Sequence, residues 1–343
     1  VNAPLPIPLA VREADPADAA AEAYARAHGG ATPFHLPQWN LAVAAGTGQR
    51  AHLLVAEQGG AVRGVLPLTE IRSPIFGAAL VSAGFGVDGG ILADDARAVA
   101  ALAEAACGLA ERLGCPTIEL RGGALPEGWG RREGLYAGFV RDLPGDDEAI
   151  LKAIPRKQRA EVRRALGFGL DVTIDRNLGA HYRVYGESVR NLGTPVFPRA
   201  LFAAVIDAFG GDADILTVSR RGTPLASVLS LYWRGTVYPY WGGGTHAARA
   251  ARANELMYYE LMRHAARRGC TRFDFGRSKV GTGAYAFKKN WGFAPSSLVY
   301  AHWGESREVN PLNPRYRLRI ALWRRLPLWL ANALGPTLAR GLG

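Results

Sequence analysis

The sequence predicts an α/β protein built from two tandem units, each a mixed β-sheet flanked by helices. Three observations carry this. The chain has 343 residues, room for about two domains of ~150 residues each. Its residues are 48% apolar and 21% charged, the balance of a globular protein with a core. The chain also repeats itself. At an offset of 155, "GGILADDARAVAALAEAACGLAERLGCPTIELR" (89–121) runs ungapped over "GTHAARAARANELMYYELMRHAARRGCTRFDFG" (244–276). Nine of the thirty-three positions are identical, four of them alanine, so the shared pattern weighs more than the identities. Both stretches read glycine turn, amphipathic helix, Gly-Cys stop, then a strand with one central acid, Glu119 or Asp274. A repeat of this kind governs the fold assignment.

The elements upstream correspond as well. "HLLVAEQGGAVRGVLPLTEI" (52–71) and "ILTVSRRGTPLASVLSLYW" (215–233) each read strand, glycine turn, strand. Between the halves, "ILKAIPRKQRAEVRRALGFG" (150–169) reads as a helix with Pro155 at its first position. Arg156, Lys157, Arg159, Arg163 and Arg164 stand there against one acid, Glu161. That pattern suits phosphate binding or a soluble face.

In the second half a helix is expected over 254–268, with Asn254 as N-cap. Leu256, Tyr259, Leu261, Met262, Ala265 and Ala266 form its apolar stripe. Arg263, Arg267 and Arg268 face out or end it, and Gly269 stops it. "YPYWGGGTH" (238–246) brings a strand and three glycines near its N-terminal end, where backbone donors can face a ligand. The tail, "NPRYRLRIALWRRLPLWLANALGPTLARGLG" (313–343), mixes Arg315, Arg317, Arg319, Arg324 and Arg325 with Leu, Ile and Trp. That is the composition of a helix at an anionic membrane surface; a helix docked on the protein body is the alternative. The expected organisation is a first unit at 1–150, a basic connecting helix at 151–169, a second unit carrying the active site at 170–305, and a basic amphipathic tail at 306–343.

The net charge of +11 suits anionic partners or simple solubility. Cys107, Cys115 and Cys270 are sparse and lack a CxxC spacing, which argues against a disulfide scaffold and a metal site and favours a reducing compartment. No apolar run approaches the ~18–20 residues of a membrane span. The opening residues do not read as a signal peptide. A cytoplasmic protein is expected.

Chemistry concentrates in "FDFGRSKVGTGAYAFKKNWGF" (273–293): a strand stopping at Gly276, a glycine-rich turn, two lysines and an aromatic close. It lacks the Gly-Lys-Ser/Thr of a Walker loop. It lacks the dinucleotide fingerprint too, since Ala286 stands where the third glycine belongs. Ser278-x-x-Gly281-x-Gly283 approximates the Q/R-x-x-G-x-G/A pyrophosphate loop of the GNAT-fold N-acetyltransferases, with the basic residue one place early at Arg277. Lys288 and Lys289 sit beside Phe287, Trp291 and Phe293, aromatics that can hold lysine stems in place. A fixed ammonium there could steady an oxyanion or hold a donor phosphate; the plain alternative is a lysine pair on the solvent side of a strand. Asp274 and His246 are the candidate bases, although the repeat partner Glu119 argues for a structural Asp274. Tyr240 and Trp241 pack or line the cleft.

With "PYWGGG" and "ANELMYYELMRHAARRGC", the 273–293 motif resembles the FemAB family, and within it the FemAB-like proteins associated with exosortase (PEP-CTERM) and exopolysaccharide gene clusters. "TPFHLPQW" (32–39), "GVLPLTEIRSPIFGAALVS" (64–82), "GGILADD" (89–95), "IPRKQRAEVRRAL" (154–166) and "GTPVFPRALF" (193–202) extend the resemblance over most of the chain. It implies two tandem GNAT-like domains and an N-acyltransferase. The donor would be aminoacyl-tRNA or acyl-CoA, a co-substrate and not a tightly bound cofactor, and the acceptor an amine on an envelope or exopolysaccharide precursor. The family's Phe-Lys maps onto Phe287-Lys288, making Lys288 the catalytic candidate with Asp274 and His246. Arg277, Ser278, Lys279, Gly281, Thr282, Gly283, Tyr285, Phe287 and Lys289 would hold the donor. Tyr240, Trp241, Arg156, Lys157 and Arg159 would form the acceptor side, the basic helix meeting tRNA or an anionic lipid head group at the inner face of the cytoplasmic membrane. The phosphate-gripping residues of peptidoglycan-precursor binders find no match. The competing reading is a non-catalytic, membrane-peripheral scaffold of polysaccharide export.

Overall fold

The computed structural model describes residues 8–305 and 317–343; the expectations placed on 1–7 and on 306–316, Arg315 among them, fall outside these. The described residues form two compact units. The first comprises 8–133, 299–305 and 340–343, the second 134–298 and 317–339.

The first unit runs β1 (Leu9–Ala14), α1 (Ala19–Ala27), α2 (Pro37–Thr47), β2 (Arg50–Gln58), β3 (Ala61–Ser73), β4 (Gly77–Ser82), β5 (Leu92–Ala93), α3 (Ala96–Leu113) and β6 (Thr117–Arg121). Short connections make β1 to β4 antiparallel neighbours, whereas the α3 crossover lays β6 parallel to β4. Helix α3 starts where Asp95 accepts the Ala98 N–H at 2.9 Å and stops at left-handed Gly114, φ 62°. Its face of Ala98, Leu102, Ala106 and Leu109 packs with Leu54, Leu66, Leu80 and Ile118.

The second unit holds β7 (Gly130–Asp142) from Gly134 on, α4 (Asp147–Ala153), α5 (Arg156–Leu166), β8 (Asp171–Asp175), α6 (Leu178–Leu192), α7 (Arg199–Phe209), β9 (Ala213–Arg220), β10 (Thr223–Trp233), β11 (Thr236–Gly244), α8 (Ala253–Arg267), β12 (Arg272–Lys279) and α9 (Gly283–Asn290). Strands β8 to β11 are antiparallel neighbours and β12 is parallel to β11 across α8. This is the order of the first unit, as the repeat implied. A further strand joins each unit from outside this run, from later in the chain for the first and from earlier for the second. Residues 300–304 of β13 (Pro295–Gly304) pair with β6, and residues 136–142 of β7 pair with β12.

Residues 134–150, expected with the first unit, therefore pack in the second. The expected connecting helix is two helices, α4 and α5, whose Ile150, Ile154, Val162 and Ala165 enter the second core. Pro155 is the N-cap of α5 instead of its first residue. The tail forms α10 (Arg317–Arg325) and α11 (Leu328–Ala339), both packed on α6. Trp323 Nε1 donates to Thr194 O and Arg324 Nη2 to Leu192 O, each at 3.1 Å.

Two local expectations change. Strand β12 continues past Gly276 to Lys279, because Gly276 at φ 67° forms a bulge and its N–H is held by Asp274 Oδ1 at 2.8 Å. Helix α8 begins at Ala253, not after Asn254. A 3-10 turn over His246–Ala248, capped by Thr245, already winds the chain, and left-handed Arg252 (φ 53°) makes the turn into the helix. Asn254 is left in the first helical turn with its side chain released. Among the described residues no helix is long and apolar enough to cross a membrane, and no three His, Cys, Asp or Glu side chains cluster as metal ligands.

Candidate active site

Strands β11 and β12 pair at Thr236↔Arg272 and Val237↔Phe273, then part. A cavity of about 580 Å³ opens beyond, lined by Ser188, Asn191 and Leu192 of α6, Gly243 and Gly244 of β11, Thr245, His246 and Arg249 of the following turn, Asn254 and Tyr258 of α8, Gly283, Ala284 and Phe287 of α9, and Arg324 of α10. The glycines allow close packing. A Cβ on Gly243 would lie 2.3 Å from Ser188 Oγ, and one on Gly244 2.5 Å from Asn254 Oδ1. They let α6 and α8 close on the strand while leaving the space ahead of it open.

Asn254 Oδ1 is buried with no hydrogen-bond partner, and such an atom costs stability unless a ligand or water satisfies it. No side chain caps the first turn of α8, so this helix end offers backbone donors and a partial positive charge to the cavity. Arg249 and Arg324 add cationic groups, and the lining residues include no carboxylate. Tyr258 stands on an aromatic floor, its ring 4.7 Å from Phe275 and 5.6 Å from Phe287. Burial pushes its phenol pKa up, so the hydroxyl stays protonated and can donate.

Of the residues singled out by sequence, His246, Gly283 and Phe287 line this cavity. Lys288 and Lys289 lie on helix α9, not on a strand. Lys288 points to the adjoining side: Nζ donates to Arg277 O at 2.8 Å and stands 5.4 Å over Phe139 and 5.6 Å over Phe275. Desolvation there lowers its pKa to about 7, with the nearby Asp274 pulling the other way. Burial in turn raises the Asp274 carboxyl, which accepts the Gly276 N–H at the bulge. Lys289 is exposed, its ammonium 5.8 Å over Tyr285.

The other residues expected to cradle phosphates make local contacts. Thr282 caps α9 by accepting the Tyr285 N–H, Gly281 makes an exposed turn, and Arg277 lies 4.8 Å over the Tyr136 ring. Ser278 is buried with its Oγ unpartnered, and Lys279 is half-buried at the strand end. Trp241 packs against Phe202 at 4.6 Å and Tyr240 against Trp241 at 4.8 Å, so neither lines the cavity. Arg156 and Lys157 are exposed on α5, and Arg159 donates to Lys152 O; none of the three lines it either. Sequence reasoning missed Ser188, Asn191, Arg249, Tyr258 and Arg324. The triple glycine before a helix was the legible signal, and it pointed to the right end of α8.

Residues 152–289 match the profile of the acetyltransferase (GNAT) domain family. The second unit therefore carries a GNAT acetyltransferase domain, and the chain is an acyltransferase by class. Its fold is that of tandem GNAT proteins. FemX superposes with a TM-score of 0.65 at 18% identity, over 87% of this chain and 97% of FemX. A conserved protein of unknown function from Bacteroides thetaiotaomicron gives 0.59 at 12% identity, covering 87% and 100% of the two chains. A tandem GNAT protein from the clavulanic acid biosynthesis pathway gives 0.55 at 13% identity, covering 88% and 100%. At these identities the likeness is one of fold. No curated protein sequence matches the chain.

Proposed function

We propose that this protein is an N-acyltransferase that moves an acyl or aminoacyl group from acyl-CoA or aminoacyl-tRNA to an amine on a cell-envelope or exopolysaccharide precursor. The observation that carries the reading is the cationic, glycine-walled cavity at the parting of β11 and β12 in the GNAT domain. Donor phosphates suit Arg249, Arg324 and the first turn of α8, where charge-assisted hydrogen bonds to anions are strong. The acceptor amine attacks the donor carbonyl. The C–N bond forms as the thiolate or ribose oxygen leaves, and the amine's surplus proton passes to the leaving group or, through His246 at the rim, to water.

Tyr258 is assigned the oxyanion: its protonated hydroxyl donates to the carbonyl oxygen as that oxygen gains charge. Lys288 acts on the same charge from behind Phe287, through dry aromatic side chains where a field is poorly screened. It also ties α9 to the bulge of β12, which keeps Phe287 in the cavity wall. Asp274 is read as the group that sets the bulge and balances Lys288.

Intact-mass assays of the purified chain with acyl-CoAs, and separately with charged tRNA, test the reading when run beside Ala284→Trp. Ala284 is an exposed lining residue, so the indole should fill the cavity without unfolding the protein. Loss of donor binding and transfer at an unchanged Tm is expected. Full turnover by Ala284→Trp, or no transfer from either donor class, would sink the proposal and leave the non-catalytic reading standing. Nucleic acid that copurifies and is stripped by salt would favour the aminoacyl route.

A further inference from the structure

We infer that the outward faces of α10 and α11 form a docking surface for an anionic lipid bilayer. The inward faces are already occupied. Trp323 and Arg324 hydrogen-bond to the carbonyls of Thr194 and Leu192, Arg190 donates to Leu326 O at 3.0 Å, and a Cβ on Gly193 would lie 2.5 Å from Ile320. Packing of the tail on α6 therefore does not account for its other apolar side chains. Leu318 is 81% exposed, Leu322 66% and Trp329 72%. Leu318 and Leu322 are four residues apart and share one stripe of α10, with exposed Arg317 and Arg325 beside it.

Charge selects the occupant. Helices α10 and α11 hold four arginines and no Asp or Glu, so this surface attracts phosphate-bearing head groups while its Leu and Trp side chains enter the interface beneath them. A second copy of the same surface would bring arginines against arginines. Helices of nine and twelve residues reach about 14 and 18 Å at ~1.5 Å per residue, short of the ~30 Å hydrocarbon core; they lie on a bilayer and do not cross it. Helix α10 also contributes Arg324 to the cavity wall, so docking brings the cavity to the lipid surface. The surface stands independently of the acyl-transfer reading.

The test is cosedimentation of the full chain with vesicles of phosphatidylcholine alone and of equimolar phosphatidylcholine and phosphatidylglycerol. Binding to the anionic vesicles should be at least tenfold tighter and should weaken with salt. Leu318→Ser/Leu322→Ser should lower it about a hundredfold, from two apolar side chains left in water. Arg317→Gln/Arg325→Gln should lower it about twentyfold, near fivefold per charge. Circular dichroism melting of each variant should match the parent, since these side chains are exposed. Equal binding to both vesicle types, or parent-like binding by the leucine variant, overturns the proposal. So does displacement from vesicles by inorganic phosphate with no effect of the leucine changes. A dimer in lipid-free buffer that the leucine variant dissolves, with vesicle binding intact, would instead make the surface a self-interface.

Discussion

The two units open the same gap and treat it differently. In the first, β4 and β6 pair at Leu80↔Ile118 and Val81↔Glu119 and then part, as β11 and β12 do in the second. There the chain after β4 folds back into the gap. Arg121 Nη1 donates to Gly86 O at 2.9 Å, Tyr300 Oη to Val87 O at 3.1 Å, and Ile91 bridges to Gly123 and Ala124. Gly90 lies so close that a Cβ would stand 1.9 Å from Gly122 O. In the second unit the three glycines remain in β11, paired with Ala226, Ser227 and Val228 of β10, so they cannot fold back. Helix α9 follows β12, whereas residues 122–129 after β6 carry no helix. A duplicated topology thus supplies two equivalent gaps, and loop path decides which one stays open.

The comparison breaks most visibly at Tyr258. Tyr258→Phe should lower kcat about a hundredfold or more, the usual loss of one oxyanion donor, with Tm unchanged; parent-like kcat would remove the hydroxyl from the chemistry. Next come the glycines. Gly90→Ala drives a methyl into backbone and should cost about 3 kcal/mol or more by chemical unfolding. Gly244→Ala meets the Asn254 side chain, which can move, so it should cost about 1 kcal/mol and act mainly on donor KM. Equal costs would mean that the first gap is less tightly filled than its geometry indicates.

Lys288 sharpens the contrast, since the first unit has no helix in its place. Its folded pKa, about 7 against 10.5 in an unfolded chain, means that the unfolded state binds more protons between those values. Burying this amine therefore costs stability below pH 7, and the cost fades as pH rises towards 10.5. Lys288→Met should melt higher than the parent at pH 6 and lose that advantage at alkaline pH, while transferring about tenfold more slowly. The rate ratio of parent to variant should shrink from pH 6 to pH 8 as the ammonium is lost. The smallest effect is expected at Asp95→Ala, about 1 kcal/mol from the α3 cap, with no change in kcat.

Much of the fold was legible because it rests on local chemistry. The Gly-Cys stop and acid-bearing strand located α3–β6 and α8–β12, and hairpin turns located β2–β3 and β9–β10. The strands exchanged between linear halves were not legible. Pairing of β7 with β12 joins residues more than a hundred positions apart, and periodicity carries no record of partners. At the site, Phe287, Gly283 and His246 were found through glycine-rich turns next to aromatics. Tyr258 was not, since a tyrosine inside an amphipathic helix reads as core until the floor of a cavity exposes its hydroxyl. The lysine pair was read as one feature, yet a helix turns about 100° per residue, which buries Lys288 against β12 and leaves Lys289 in solvent.

Sequence by itself determined the doubling, the helix and strand types, the excess of positive charge and the arginine-rich, acid-free tail, because each depends on residues near one another in the chain. Tertiary structure alone decided which of two equivalent gaps stays open, which face of α9 meets it, and which side of the tail is left to water. Those outcomes turn on contacts between distant segments, where a single carbonyl oxygen 1.9 Å from a missing methyl can close a cavity that the same topology opens elsewhere.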